Sequence, residues 1–451
     1  MFNLWRQSCT MDKQSLTLLM ACSIICRDFG DGSDGSVWPA SHAKNLADQP
    51  LDVAAPHNCS AALPTNIGLT TMAVVSPRSP GASTGLGVMG PGRPELISRE
   101  GFRFMKTDSF KGRDFLTTRD FNREEIETII DVALDLKRRF AIREPHRLLP
   151  DMTLFMIFYG MSLRTRNSFE AGMTQLGGHA HFLSPGEIYT PALDDKVREY
   201  RTESVADVSR VLSRMGHGIA IRCFGQAVNW VYGAGQEVLE GFAKWADIPV
   251  INMESDTYHP CQGMADILTM KEKLGQLDGK KFVMSWAYSP RSQKPLSVAH
   301  SALLLTSLMG MDVTVAYPEG FDLDTNVMEK IRANAEKYGR SVEIVHDMKE
   351  AVRGADVVYA KNWTCRHFFP PETSAPQPEE AQKLFEANRH WICDQELMGL
   401  AKRTAFYMHC LPADRNFEVS SAVMDGPQSA VFDQAENRLH AQKAIMALTM
   451  G

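Results

Sequence analysis

The sequence contains no run long and apolar enough to cross a membrane as a helix, which takes roughly 20 residues. Its longest apolar stretch of interest, 16–26, falls well short. That stretch follows Lys13, as the core of a secretory signal would, but no small-residue cleavage site comes after it. Asp12, Asp28, Asp31 and Asp34 are out of place in a mitochondrial transit peptide. An excess of positive charge is also missing. Lys and Arg total 48 against 54 Asp and Glu, a formal net charge of −6. Bulk electrostatic attachment to nucleic acid is thereby excluded, and a local basic pocket is not. Cysteines are few and poorly paired in spacing: nine are scattered along the chain, and only Cys22 and Cys26 lie close together. An odd, scattered set is neither a disulfide framework nor a structural zinc site, and it predicts a reducing cytoplasm. No GxGxxG follows a strand-like run. The nearest glycine-rich text, 85–92, follows no strand, which removes the main argument for a nicotinamide-dependent dehydrogenase.

What is present is enough for two domains. The chain has 451 residues, 44% hydrophobic and 23% charged, as in a globular protein. Residues 29–94 are rich in Gly, Pro, Ser and Ala and show neither helical nor strand periodicity. Such text buries too little apolar surface to order itself, so a disordered extension is predicted over 1–104. Met105, where patterned sequence begins, is an alternative start.

Beyond it, Asn122 and Glu125 have capping-box spacing, and Ile126, Ile129, Ile130, Ala133 and Leu136 follow at helical intervals. Strands are predicted at 153–158, 179–183, 218–222 and 248–252. The helices between them are one with Phe169, Gly172, Met173 and Leu176 on one face, then 204–215 and 236–246. A second set has strands at 281–286, 312–316, 341–345, 356–360 and 405–410, with helices at 297–308 and 326–338. This alternation predicts an α/β fold of two doubly wound parallel-sheet domains. They would span 105–258 and 259–433, joined by a helix at 259–274, and a last amphipathic helix (436–450, within 434–451) would complete the first domain.

Three stretches carry chemistry. Ser162-Leu163-Arg164-Thr165-Arg166 sits where a strand hands over to a helix, and free N–H groups, a hydroxyl and two guanidiniums there suit an anion. The alternative is a polar first turn with exposed arginines. His259-Pro260-Cys261-Gln262 opens a helix, with Pro260 in its first turn and Thr257 or Tyr258 before it. His259 and Gln262 share one side of that turn, one suited to polarising a carbonyl and the other to binding an amide NH2. The bland reading is a helix start without a ligand. His409-Cys410-Leu411-Pro412 ends a strand, where open α/β sheets bind ligands. Cys410 is there a nucleophile, a weak donor or a small buried hydrophobe. Arg222 and Arg438 on their own read as surface ion pairs.

Together, SLRTR, HPCQ and HCLP, in this order over about 105–451, resemble the aspartate/ornithine carbamoyltransferase superfamily. The resemblance implies a carbamoyl phosphate-binding domain (105–258) and an amino-acceptor-binding domain (259–433). It further implies a homotrimer with shared active sites and no metal or organic cofactor. Ser162, Leu163, Arg164, Thr165 and Arg166 match the phosphate-binding turn, and Arg222, His259 and Gln262 the residues that hold the carbamoyl group. Cys410 and Leu411 match the strand end at the reacting centre, where the Leu-Pro bond is typically cis, and Arg438 matches an arginine on carbamoyl phosphate. The catalytic set so implied is Arg166, Arg222, His259 and Cys410, acting by positioning and charge stabilisation rather than through a covalent cysteine. A neighbouring subunit would contribute from a loop that holds Tyr189, Lys196 and Arg198.

The acceptor side departs from the ornithine pattern. Lys361-Asn362-Trp363 stands where ornithine enzymes have an Asp before the Trp, and a lysine repels a free α-ammonium. With 286–290, Lys294-Pro295-Leu296 and the ending AENRLHAQKAIMA, this resembles the N-acetylornithine carbamoyltransferase branch, whose second domain carries a trefoil knot. That branch implies a place in arginine biosynthesis, and a knotted chain between about Trp286 and Leu296. After HCLP, however, Asp414 and Glu418 replace bases expected to meet the acceptor's carboxylate. The acceptor is therefore an N-acylated ornithine, ornithine or another amine. A noncatalytic phosphate-binding relative is the alternative.

Overall fold

The computed structural model describes residues 107–193, 196, 201–369 and 376–451, all within one compact unit. The extension expected over 1–104 lies outside the described residues. In chain order the first half runs α1 (Arg123–Ala141), β1 (Thr153–Phe158), α2 (Leu163–Leu176), β2 (His179–Leu183), β3 (Thr190–Ala192), β4 (Thr202–Ser204), α3 (Val205–Ser213), β5 (Gly218–Cys223), α4 (Ala234–Trp245), β6 (Val250–Ser255) and α5 (Pro260–Leu274). The second half runs β7 (Lys281–Trp286), α6 (Ser297–Leu308), β8 (Asp312–Ala316), α7 (Thr325–Lys337), β9 (Val342–Val345), β10 (Val357–Lys361), α8 (Pro378–Ala387), β11 (Phe406–Met408) and α9 (Val431–Met450), with shorter helical turns between.

Two main parallel sheets follow, ordered β2-β1-β5-β6 and β11-β10-β7-β8-β9, beside a small two-stranded parallel sheet of β3 and β4. Period-2 alternation sends the first sheet's side chains to two separate apolar clusters. Leu154, Met156 and Phe158 pack with Phe169 and Met173 on one face, and Ile157, Ile219 and Ile221 pack with Val208, Leu239 and Phe242 on the other. Helices therefore cover both faces, as expected of a parallel sheet. β7 and β10 are buried on both faces too. In each sheet the order reverses beside its first strand, between β1 and β5 and between β7 and β10. A crevice opens at the carboxyl ends there.

The capping box forms as predicted: Asn122 Oδ1 accepts from Glu125 N at 3.0 Å, and Glu125 Oε2 from Asn122 N at 2.8 Å. α2 ends on Gly177 at φ +89°, a conformation open to glycine.

Three expectations change. β6 begins after Pro249, which has no N–H for the ladder, and runs to Ser255. β11 stops at Met408, because His409 N turns away to donate to Gln434 Oε1 at 2.8 Å. α9 starts at Val431 and is not amphipathic. It is wrapped by α1, α2 and α5, and Gln434, Asn437, Arg438, His440, Gln442 and Lys443 are all buried. Gly172 lets α2 approach it, since a Cβ there would lie 2.8 Å from Met446 Cε.

Candidate active site

At the first crevice, Ser162 caps α2, its Oγ accepting from Thr165 N at 3.3 Å. Thr165 is buried, and its Oγ1 accepts from Arg438 Nη2 at 2.9 Å. Arg438 reaches this point from α9 and donates through Nη1 to Gln262 Oε1 at 2.7 Å. Gln262 in turn donates to Asp266 Oδ1 at 2.8 Å, which also receives Gln434 Nε2 at 2.6 Å. Burial pushes the Asp266 carboxyl up to about 7. Burial also lowers Arg164 and Arg438 from the usual arginine range, as expected of cations taken out of water.

Arg222 ends the run shared by β1 and β5 and pairs through Nη1 with Glu254 Oε2. Glu254 Oε1 accepts from Ser297 Oγ at 3.1 Å, and its Oε2 lies 3.6 Å from His259 Nε2. His259 is itself the residue that precedes the helix, in place of Thr257 or Tyr258, with Pro260 in the first turn as expected. Burial holds its pKa well below the ordinary histidine value, and Arg438, Arg222, Lys361 and Arg164 add to the shift. The ring is therefore neutral at pH 7 and offers one N–H. Arg222 Nε and His259 Nδ1 are buried without a protein partner. Three guanidiniums and a neutral imidazole thus lie about Glu254, with Asp266 one side chain further off behind Gln262, an arrangement suited to a compact anion.

Arg166 is not among them. Its Nε binds Glu170 Oε1 at 3.1 Å, and its guanidinium lies 3.8 Å over the Phe182 ring, on the exposed side of α2. On a helix, positions 164 and 166 point apart, so one turn cannot aim both inward. Leu163 likewise turns its side chain to solvent.

At the second crevice, Cys410 is half-buried, and burial pushes its thiol up although Lys361 pulls it down, so it is not a thiolate at neutral pH. Leu411–Pro412 is cis and Leu411 has φ +56°. Trp286 and Trp363 meet across the switch point, Trp286 Nε1 donating to Trp363 O at 2.9 Å. Lys361 Nζ donates to Asn362 O at 2.6 Å. Lys294 Nζ sits 2.7 Å from Asp414 Oδ2, which also accepts from Ser289 Oγ at 2.6 Å. Asp414 is thus occupied by Lys294. Glu418 is buried and turned inward, so neither acid stands free where a base was expected.

Tyr189 is exposed, and Lys196 lies 3.9 Å from Glu237. Arg198 lies outside the described residues. The sequence reading missed Glu254 and Ser297. A carboxylate at the carboxyl end of the buried strand VINMES was a usable signal. Ser297 gave none, since only the fold brings it to Glu254.

Comparison with known proteins bears on both crevices. The family model described as aspartate/ornithine carbamoyltransferase, carbamoyl-P binding domain, matches residues 113–272, and the Asp/Orn binding domain of the same family matches 293–449. An ornithine carbamoyltransferase of Thermococcus kodakarensis is 42% identical over 343 residues, 76% of this chain and 98% of its own. An N-acetylornithine carbamoyltransferase of Xanthomonas campestris is 40% identical over 347 residues, 75% of this chain and 98% of its own. A solved acetylornithine transcarbamylase in complex with acetylcitrulline superposes with a TM-score of 0.68 at 38% identity, covering 75% of this chain and 99% of that one.

Proposed function

The chain belongs to the aspartate/ornithine carbamoyltransferase family and is a carbamoyltransferase, and we propose that it moves the carbamoyl group of carbamoyl phosphate to the side-chain amine of ornithine or an N-acylated ornithine. The convergence of Arg164, Arg222 and Arg438 on Thr165, His259 and Gln262 carries this reading. Ser162, Arg164, Thr165 and Arg438 grip the phosphate. Arg222 and His259 face the carbonyl oxygen, and their unpartnered nitrogens are completed by the ligand. The neutral amine attacks the carbonyl carbon, forming a C–N bond as the C–O bond to phosphate breaks. The departing phosphate takes the amine proton. Charge grows on the carbonyl oxygen and the leaving group, where fixed cations stabilise it most, and holding both substrates in line supplies much of the remainder. Arg164, not Arg166, takes the catalytic charge-stabilising role in this reading. Cys410 lines the centre as a neutral thiol.

Charge on the acceptor side favours the N-acylated substrate. Asp414 is held by Lys294, and Asp324 by Arg366 at 2.8 Å and the Tyr232 hydroxyl at 3.1 Å. Asp256, which also lines the site, accepts from the Gly233 and Gln236 N–H groups, so among the described residues these carboxylates are already engaged, and Lys361 suits a carboxylate. A small cavity between the sheets has apolar walls from Val228, Trp230, Val231 and Phe369, with Lys294 at its edge, and would take an acyl group. A role in arginine biosynthesis is supported by the relative named as an anabolic ornithine carbamoyltransferase, of Pyrococcus furiosus, 41% identical over 343 residues.

Two further expectations belong to this reading. A homotrimer is supported by Met161 and Leu163, 98% and 70% exposed beside the phosphate turn, where a neighbour's loop would cover them. A knotted second domain rests on the resemblance to the N-acetylornithine branch; the segment it concerns, 287–296, is tied to 362–364 by Asn362 Nδ2 to Ala287 O at 2.7 Å and Thr364 N to Lys294 O at 3.0 Å. The deciding experiment is phosphate release from carbamoyl phosphate by the full chain, with ornithine, N-acetylornithine, N-succinylornithine, aspartate and putrescine offered separately. Turnover with an ornithine-type amine is expected, and release that no amine stimulates would sink the reading.

A further inference from the structure

Glu418 lies in the loop after β11 and is 1% exposed. Both of its oxygens are engaged. Oε1 accepts from Asn362 N at 2.7 Å, and Oε2 from Asp414 N at 2.7 Å. His409 Nε2 lies 3.4 Å from Oε1 and Lys294 Nζ 3.9 Å from Oε2. Burial pushes this carboxyl up, but the polar N–H side of the His409 ring and the charges of Lys294 and Lys361 more than reverse that and hold it well below the usual carboxylate range. The group is a buried anion. A buried anion persists only when hydrogen bonds and opposite charge replace its water, as they do here.

The hydrogen bonds also have a direction. Leu411 N donates to His409 Nδ1 at 2.9 Å. Nδ1 must therefore present its lone pair, and the ring N–H sits on Nε2, facing Glu418. Among the described residues, that N–H has no closer partner than the carboxylate, which approaches to 3.4 Å without closing a hydrogen bond, and the imidazole holds the backbone of Leu411, a residue at φ +56° that such support must keep in place. The other arm of the carboxylate holds Asn362 N, the backbone that follows Lys361 at the end of β10. One side chain thus ties the two strand ends that form the acceptor side of the crevice, β10 and β11.

We propose that Glu418 is the positioning residue of carbamoyl transfer, setting the Cys410–Leu411 turn through His409 and the Lys361–Asn362 strand end directly. It touches no substrate and acts through the groups that do. The inference rests on the carbamoyltransferase reading above. It also accounts for an acid at a position where a base was expected to meet the acceptor.

The test is Glu418→Gln in the full chain. The amide keeps the volume but turns an NH2 toward Asn362 N or Asp414 N, donor against donor. Acceptor KM should rise at least tenfold and kcat should fall, while affinity for inorganic phosphate, measured by calorimetry, stays within twofold. Glu418→Asp restores the charge and should recover part of kcat, which a mere volume effect would not give. His409→Asn is the second variant, for the case that Glu418→Gln does not fold. Its Oδ1 can still accept from Leu411 N, but the link to Glu418 is gone, so kcat should fall with acceptor KM little changed. Unaltered kinetics of Glu418→Gln in an active background, or unaltered kcat of His409→Asn, would overturn the proposal alone. A wild-type chain inert toward every amine would overturn the parent reading and this one with it.

Discussion

Arg438 and Thr165 stand 273 positions apart in the chain and meet through a 2.9 Å hydrogen bond. The contact joins the last helix to the first turn of α2, so the phosphate site is complete only once the C-terminus has returned to the first sheet. Arg438 presents Nη2 to Thr165 and Nη1 to Gln262 at once, a fork that a lysine cannot reproduce. Arg438→Lys should therefore lower kcat/KM for carbamoyl phosphate by 10²-fold or more, about 3 kcal/mol of transition-state stabilisation. Steady-state kinetics with saturating acceptor checks it.

The two arginines of the SLRTR turn should separate cleanly. Arg164, half-buried among Arg222, Glu254 and Cys410, faces the anion site, and Arg166 faces Glu170 and Phe182. Arg164→Ala should cost on the order of 10²–10³ in kcat/KM. Arg166→Ala should cost less than about tenfold, the scale of an exposed ion pair and a cation–π contact. Equal losses would show that both guanidiniums act on substrate.

Acceptor choice should follow the charge of Lys361. Lys361→Asp restores the acid of the ornithine pattern, near the Cys410 thiol that feels the charge at this position. The ratio of kcat/KM for ornithine to that for N-acetylornithine should rise at least tenfold. A parallel fall for both substrates would mean that the residue only supports the strand end.

Asp266 makes stability depend on pH in an unusual direction. Its folded value is raised to about 7, above the ordinary aspartate value of about 3.9. Between those limits the folded chain binds more protons than the unfolded one, so this group's contribution falls as pH rises from 4 to 7. Asp266→Asn removes the titration while keeping an acceptor for Gln262 and Gln434. Relative to the variant, wild type should lose on the order of 1 kcal/mol per pH unit across that window. Denaturant unfolding at pH 5 and pH 7 measures the difference, and a constant offset would contradict it.

Local pattern made much of this molecule legible in the sequence. Strands 153–158, 179–183, 281–286 and 312–316 and the helix over 297–308 form over the expected residues, because short apolar runs between turn signals have few other ways to bury themselves. The capping box of α1 depends on residues three apart and was equally readable. α9 was misread as amphipathic. Its Arg438 is satisfied by Thr165 of α2 and Gln262 of α5, and its Asn437 by Thr269 of α5, partners that no periodicity within 431–450 could reveal.

The same division runs through the site. Order and chemical type of the motifs were determined by the chain text alone: a hydroxyl and guanidiniums at a helix start, a His-Pro at another, a Cys-Leu-Pro at a strand end. Which arginine of SLRTR turns inward, that Glu254 sits between Arg222, Ser297 and His259, and that Glu418 faces the interior were decided only by tertiary structure. The reason is range. Hydrogen bonding and charge act over a few ångströms, and the partners that select one orientation come from strands and helices tens to hundreds of residues away.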